Sequence, residues 1–141
     1  MFSVKINGLD DMVNTLAQYA DSVAAGTVDA IAKSAEDIAD AAKGNTSGSL
    51  ADSITTDVAD DGLSATITAN SEYAAYVEYG VSIPEIKAKA AKALHFVKDG
   101  KDVFARSARA HTIEPRPFLT PAFEEKAQGL TNNLTQILQG E

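Results

Sequence analysis

The chain has no cysteine. That excludes a disulfide framework, an iron–sulfur cluster, a thiolate-held zinc and a thiol nucleophile. It suits a reducing compartment. Long apolar runs are also missing. No stretch of about 18 apolar residues occurs, and "MFSVKINGLDD" lacks the apolar core of a signal peptide. Neither membrane insertion nor secretion is therefore expected, and the sequons Asn45-Thr46-Ser47 and Asn133-Leu134-Thr135 read as chance matches. Aromatic residues make up only 6% of the chain, and much of its 45% apolar fraction is alanine. Alanine buries little area, so the expected core is thin and oligomerisation is a reasonable way to stabilise it.

What is present is acidic. The 141 residues, a length that suits one domain, carry a net charge of −8. This argues against a general nucleic-acid coat. The charge is unevenly spread. Lys87, Lys89, Lys92, Lys98, Lys101, Arg106, Arg109 and Arg116 face only Asp99, Asp102 and Glu114 within the same segment, a balance of +5 that leaves −13 for the remainder. Such a segment is either a solvated basic loop or an element that reaches an acidic surface, DNA or a neighbouring subunit.

Periodicity predicts an α+β order. "FSVKI" alternates Phe2, Val4 and Ile6 as a half-buried strand does. Asp10 is placed to cap a helix whose stripe runs through Leu9, Met12, Val13, Leu16, Ala20 and Val23. Gly26 either separates this helix from a second one, capped by Thr27 and carrying Val28, Ile31, Ala35, Ile38, Ala39 and Ala42, or bends a single long helix. "KGNTSGS" reads as a loop. It lacks the spacing, the Lys-Ser/Thr pair and the preceding strand of a phosphate-binding loop. "SITTDVADDGLSATITA" reads as a β-hairpin: Ile54, Thr56 and Val58 oppose Leu63, Ala65, Ile67 and Ala69 about an Asp61-Gly62 turn. A second hairpin is expected around Asp99-Gly100, with Leu94, Phe96, Val103 and Ala105 as inner positions. Thr120-Pro121 resembles a capped helix start, with an apolar stripe from Leu119 to Leu138 behind it.

Between the hairpins lies "NSEYAAYVEYG", which holds three of the four tyrosines. Helical spacing puts Tyr73, Tyr76, Val77 and Tyr79 on one side, with Ala74 and Glu78 opposite. The expectation is a two-turn helix that buries Tyr73 and Tyr76, with Tyr79 near an edge. Gly80 would then turn the chain out into the basic segment. No catalytic constellation emerges. His95 and His111 lack a third ligand at metal spacing, the adjacent acidic pairs do not converge, and no serine lies in a nucleophile elbow. No cofactor or metal site is expected.

Three segments together carry a resemblance: "GNTSGSLADSI", "NSEYAAYVEYG" and "PRPFLTPAFEE". Their order and spacing resemble the tail-completion, or head–tail joining, family of long-tailed double-stranded DNA bacteriophages and prophages. Ser47-Gly48-Ser49-Leu50 with Ser53-Ile54 fits the first motif. Tyr73-Ala74 with Glu78-Tyr79-Gly80 fits the second, and Arg116-Pro117-Phe118-Leu119 with Pro121-Ala122 the third. Departures occur at Val81-Ser82, where many members have threonine after the glycine, and at Ala51-Asp52, where many have a basic residue.

The resemblance implies a single α+β domain over 1–141, with a small antiparallel sheet packed by N- and C-terminal helices and with 81–116 as a protruding basic arm. It implies a non-enzymatic virion protein of the neck or tail top, assembled in the host cytoplasm as a ring, commonly hexameric, around the DNA channel. Implied partners are connector or stopper, tail-terminator and tail-tube proteins, with packaged DNA or the next subunit meeting the arm. Tyr73, Tyr76, Glu78, Tyr79, Gly80, Pro117, Phe118 and Leu119 would be its structural motif. The competing expectation is a small soluble binding or regulatory module that forms no ring.

Overall fold

A computed structural model describes residues 3–5, 7–88 and 93–140. Its first element is one continuous helix, α1 (Leu9–Gly44). Gly26 does not divide it. The glycine lies where α1 meets the last helix, α4 (Leu119–Gln139), and a Cβ there would stand 3.2 Å from Ile137 Cγ2. Close helix approach, not termination, explains this glycine. Thr27 caps nothing. Its hydroxyl donates to Val23 O one turn back, the usual solution for a threonine inside a helix. Asp10 makes no capping bond either, and the helix starts from Gly8.

α1 and α4 pack antiparallel. Asn45 Nδ2 donates to Phe118 O at one end, and the Tyr19 hydroxyl donates to Leu138 O at the other. α1 is about 54 Å long and α4 about 32 Å, so the first turns of α1 run past the end of α4. Leu9, Met12, Val13 and Leu16 therefore form an exposed apolar stripe instead of core. The strand expected at "FSVKI" is not formed over Ser3–Lys5, and Val4 is exposed; Phe2 and Ile6 lie outside the described residues.

The loop after α1 is shorter than its composition suggests. Only residues 45–47 intervene before α2 (Gly48–Asp52). The antiparallel pair β1 (Ile54–Val58) and β2 (Ala65–Ala69) follows, in the register Ile54↔Ala69 to Val58↔Ala65. The expected pairing holds, but the connection is a six-residue loop, not a tight Asp-Gly turn, and Leu63 falls in it. Gly62 closes the loop with φ +69°. Its missing Cβ would come within 2.6 Å of Val28 Cγ1 on α1. The loop thus rests on the helix through a glycine.

Next come α3 (Ala74–Tyr79), β3 (Val81–Ile83), β4 (Ile86–Lys87), β5 (Leu94–Lys98), β6 (Lys101–Ala105), β7 (Ser107–Ala108) and β8 (His111–Ile113). Their pairings nest as β3–β8, β4–β7 and β5–β6, so the segment reads as successive rungs of one antiparallel ribbon. Asp99 and Gly100 both take positive φ at its tip, the signature of a two-residue hairpin turn. The core is small and central: Ile38, Ala39, Ala42, Leu50, Ile54, Ala74, Phe118 and Ala122. Phe118, 1% exposed, is its largest fully buried side chain.

Gly62→Ala should cost about 2–3 kcal/mol, from the strained φ and the collision with Val28 together. Denaturant unfolding measures this. A neutral result would show that the loop does not rest on α1.

Candidate functional site

The three segments that carry the family resemblance meet at one place. Asn45, from the first, holds Phe118 O. Ser49 Oγ and the Tyr73 hydroxyl are 2.7 Å apart. Arg116 N donates to Val77 O at 2.7 Å, joining the third segment to α3. Glu78 sits at the centre. Its Oε2 accepts from Phe118 N at 2.8 Å and Leu119 N at 3.0 Å, and its Oε1 accepts from Thr120 N at 3.0 Å.

These bonds complete the backbone accounting at the start of α4. A helix leaves its first N–H groups without internal partners. Here Phe118, Leu119 and Thr120 give theirs to Glu78, and Pro121, which follows, has none to give. The helix is capped from another element, and its positive end faces a carboxylate. Thr120 is not the cap expected from sequence; it is one of the donors.

This arrangement reverses the expected orientation of α3. Glu78 and Ala74, read as facing outward, are buried, only 7% and 9% exposed, whereas Tyr73 and Tyr76 are about half exposed and Tyr79 is 77% exposed. The physical reason is occupancy. Phe118 already fills the space beneath α3, and three charge-assisted bonds from α4 compensate a buried carboxylate well. Burial alone would raise the pKa of Glu78. Hydrogen bonds from the Thr120 side chain and from the Phe118, Leu119 and Thr120 backbone outweigh it and hold the carboxyl below its ordinary value.

Gly80 fixes where the arm leaves. With φ +71° and ψ 169° it occupies a region open essentially to glycine alone, and it leads directly into β3. A Cβ would meet Ile113 O at 2.7 Å and Pro115 N and Cδ at 2.9 Å, so the outgoing and returning strands cross in contact here. Pro117, Phe118 and Leu119 complete the return into α4.

The basic residues are spread along the ribbon instead of converging. Lys87 lies on β4 and pairs with Glu85 at 3.4 Å. Lys98 and Lys101 face each other across the tip. Arg106 and Arg109 flank β7, and Arg116 lines a cleft at the ribbon's root with Tyr73, Val77 and Thr112. Lys89 and Lys92 lie outside the described residues. His95 stacks on Phe104 with ring centroids 4.8 Å apart, and its Nε2 is 2.9 Å from Asp102 Oδ1. His111 sits on β8. Among the described residues no group of His, Asp and Glu is arranged to hold a metal, and no helix is long and apolar enough to cross a membrane.

A family model described as "Bacteriophage HK97-gp10, putative tail-component" matches residues 10–80. The chain belongs to this HK97-gp10-like family. It is a phage tail component and hence a virion protein. The matched span runs from the first turn of α1 to Gly80, so it contains Glu78 and stops where the ribbon begins. The ribbon and α4 lie beyond it. No curated protein and no solved structure matches the chain.

Glu78→Gln should cost about 2–3 kcal/mol at neutral pH, since the amide keeps a single, uncharged accepting oxygen and turns its NH2 donor towards an N–H that the carboxylate had satisfied. The pH dependence follows from the depressed pKa. Glu78 contributes its full stability above the unfolded value, about 4.3, and loses it as pH falls through the lower folded value. Chemical denaturation across this acid window should show a steeper loss for the parent chain than for the variant; equal slopes would refute the assignment. Gly80→Ala should cost about 3 kcal/mol or more, because backbone atoms of the return strand cannot yield. A thermal melt within a degree of the parent would contradict this.

Proposed function

We propose that the chain is a non-enzymatic assembly protein of the head–tail junction, where it completes or joins the tail as a ring, hexameric by analogy with the family it resembles, around the DNA channel. The observation that carries this reading is the ribbon. It is basic, it is anchored at its root by Gly80 and the Glu78 junction, and β5 and β6 pack chiefly on each other. An isolated two-stranded hairpin is marginal in water, so a rooted but unsupported one suits an element that gains its support from a partner. Lys98, Lys101, Arg106 and Arg109 are exposed along it, opposite in sign to the −13 balance of the rest of the chain. Head-to-tail rings bring one subunit's projecting element to the next subunit's body, and opposite charges favour that register.

In this reading the ring's faces meet connector or stopper, tail-terminator or tail-tube proteins, and the arm's remaining charge faces packaged DNA. Assembly takes place in the host cytoplasm, and the finished protein sits at the neck or tail top. The exposed rings of Tyr76 and Tyr79 lie beside the arm's root and extend the same contact surface.

Charge reversal at Lys98, Lys101, Arg106 and Arg109 together should give heads and tails that fail to join, or joined particles at a small fraction of the normal yield, with the subunit itself still folded. Electron microscopy of lysates counts them. Normal numbers of tailed particles would overturn the arm's role, and locating the protein elsewhere in intact particles would overturn the junction reading itself.

A further inference from the structure

β2 has a free edge. Among the described residues it pairs only with β1. The bonds Ala59 N to Ser64 O and Asn70 N to Ser53 O set the alternation of the ladder. Thr66 and Thr68 therefore hydrogen-bond to β1, while the N–H and C=O groups of Ala65, Ile67 and Ala69 point away from it. A groove follows this edge for its whole length, from Leu63 to Ala69, with Phe123 and Leu119 of α4 on the other side. No residue of β1 lines it. Phe123, at 56%, and Leu63, at 59%, are widely exposed for large apolar side chains.

The arm has the complementary features. β5 and β6 are each five residues long, the same length as β2. One face of the hairpin carries Val97 and Phe104, 63% and 68% exposed, beside the His95–Asp102 pair, and among the described residues the two strands pack chiefly on each other. Among the described residues its outer backbone edges pair with no other strand. Charge favours the contact at the scale of the whole arm. The groove walls carry no lysine or arginine, Asp60 and Asp61 stand at the end near Leu63, and Glu124 follows Phe123. The arm's +5 balance opposes the −13 of the rest of the chain, although at the tip itself Lys98 and Lys101 are offset by Asp99 and Asp102.

We infer that the β5–β6 hairpin of a second copy adds to the free edge of β2, with Val97 and Phe104 seated in the groove between β2 and α4. Strand addition satisfies the outward backbone groups of Ala65, Ile67 and Ala69 and removes an exposed edge. Val97 and Phe104 fill the apolar space, the His95–Asp102 pair on the same face stays at its rim, and the basic arm meets an acidic body. Donor and acceptor surfaces are different parts of the same chain, so the contact is head-to-tail, and an open assembly keeps one free groove at one end and one free arm at the other until a ring closes. The inference rests on the ring reading above and specifies its interface.

The test uses the full chain. Sedimentation velocity from about 10 µM to 1 mM should show concentration-dependent association. Phe104→Asp on the arm and Phe123→Asp in the groove each weaken it about 30-fold or more, the scale of an anchoring aromatic. Both side chains are exposed, and circular dichroism checks that the variants fold. Mixing the two variants should restore a 1:1 heterodimer that grows no further, because one intact arm and one intact groove remain in each pair. As a second measurement that leaves the aromatics in place, the cysteine-free chain allows Val97→Cys and Ala65→Cys variants to be mixed under oxidant, where a heterodisulfide dimer should dominate over either homodimer; Ala65 is half-buried on the groove side of β2. A chain monomeric at 1 mM, association unaffected by either aspartate, or a variant mixture that stays monomeric overturns this docking. Oligomers that persist with cross-links elsewhere refute the interface and leave the ring reading standing. Failure of the ring reading shows instead as a different location in intact particles.

Discussion

The carboxylate of Glu78 on the first turn of α4 is the interaction on which the architecture turns. It links three parts that share no continuous sheet: α3 at the end of the N-terminal half, the root of the ribbon, and the C-terminal helix. The bond is local in energy but global in consequence. α4 packs along α1, so anchoring its N-terminus also sets how Ala122 and Phe118 enter the core. A hydrophobic contact at this point would hold the helix without orienting it. Three directional bonds to one carboxylate fix both the position and the direction of the chain leaving Pro117.

Around that junction the protein is economical inside and generous outside. The buried cluster is mostly alanine and isoleucine with one phenylalanine, while Leu9, Met12, Val13, Leu16, Val97, Phe104 and Phe123 are left open. A monomer optimised for solution would cover more of these. A virion component meets other virion proteins, and apolar area that is idle on the free chain becomes core at such an interface. The acidic body limits unwanted association through that area in the meantime.

Much of the fold was legible along the chain because it depends on short-range patterns. Alternation located β1 and β2 within a few residues, Asp99-Gly100 located the tip of the ribbon, and Thr120-Pro121 located the start of α4 within two residues. The α+β class and the family followed from the same segments. Other readings failed for identifiable reasons. Gly26 and Thr27 carry helix-breaking and capping signals, but packing against Ile137 makes the glycine useful inside a continuous helix. Tyr73 and Tyr76 have core-like spacing, yet the space they would enter belongs to Phe118.

The sequence by itself determined the β1–β2 pair, the tip of the ribbon, the start of the last helix, the segregation of charge and the family, because propensity, periodicity and composition act over a few neighbours at a time. Only the tertiary structure decided which face of α3 is inside. A glutamate opposite three tyrosines looks like a solvated residue until the N-terminus of a helix some forty positions later is brought against it. Periodicity identifies two faces of a helix, but what lies across from each depends on chain segments distant in sequence.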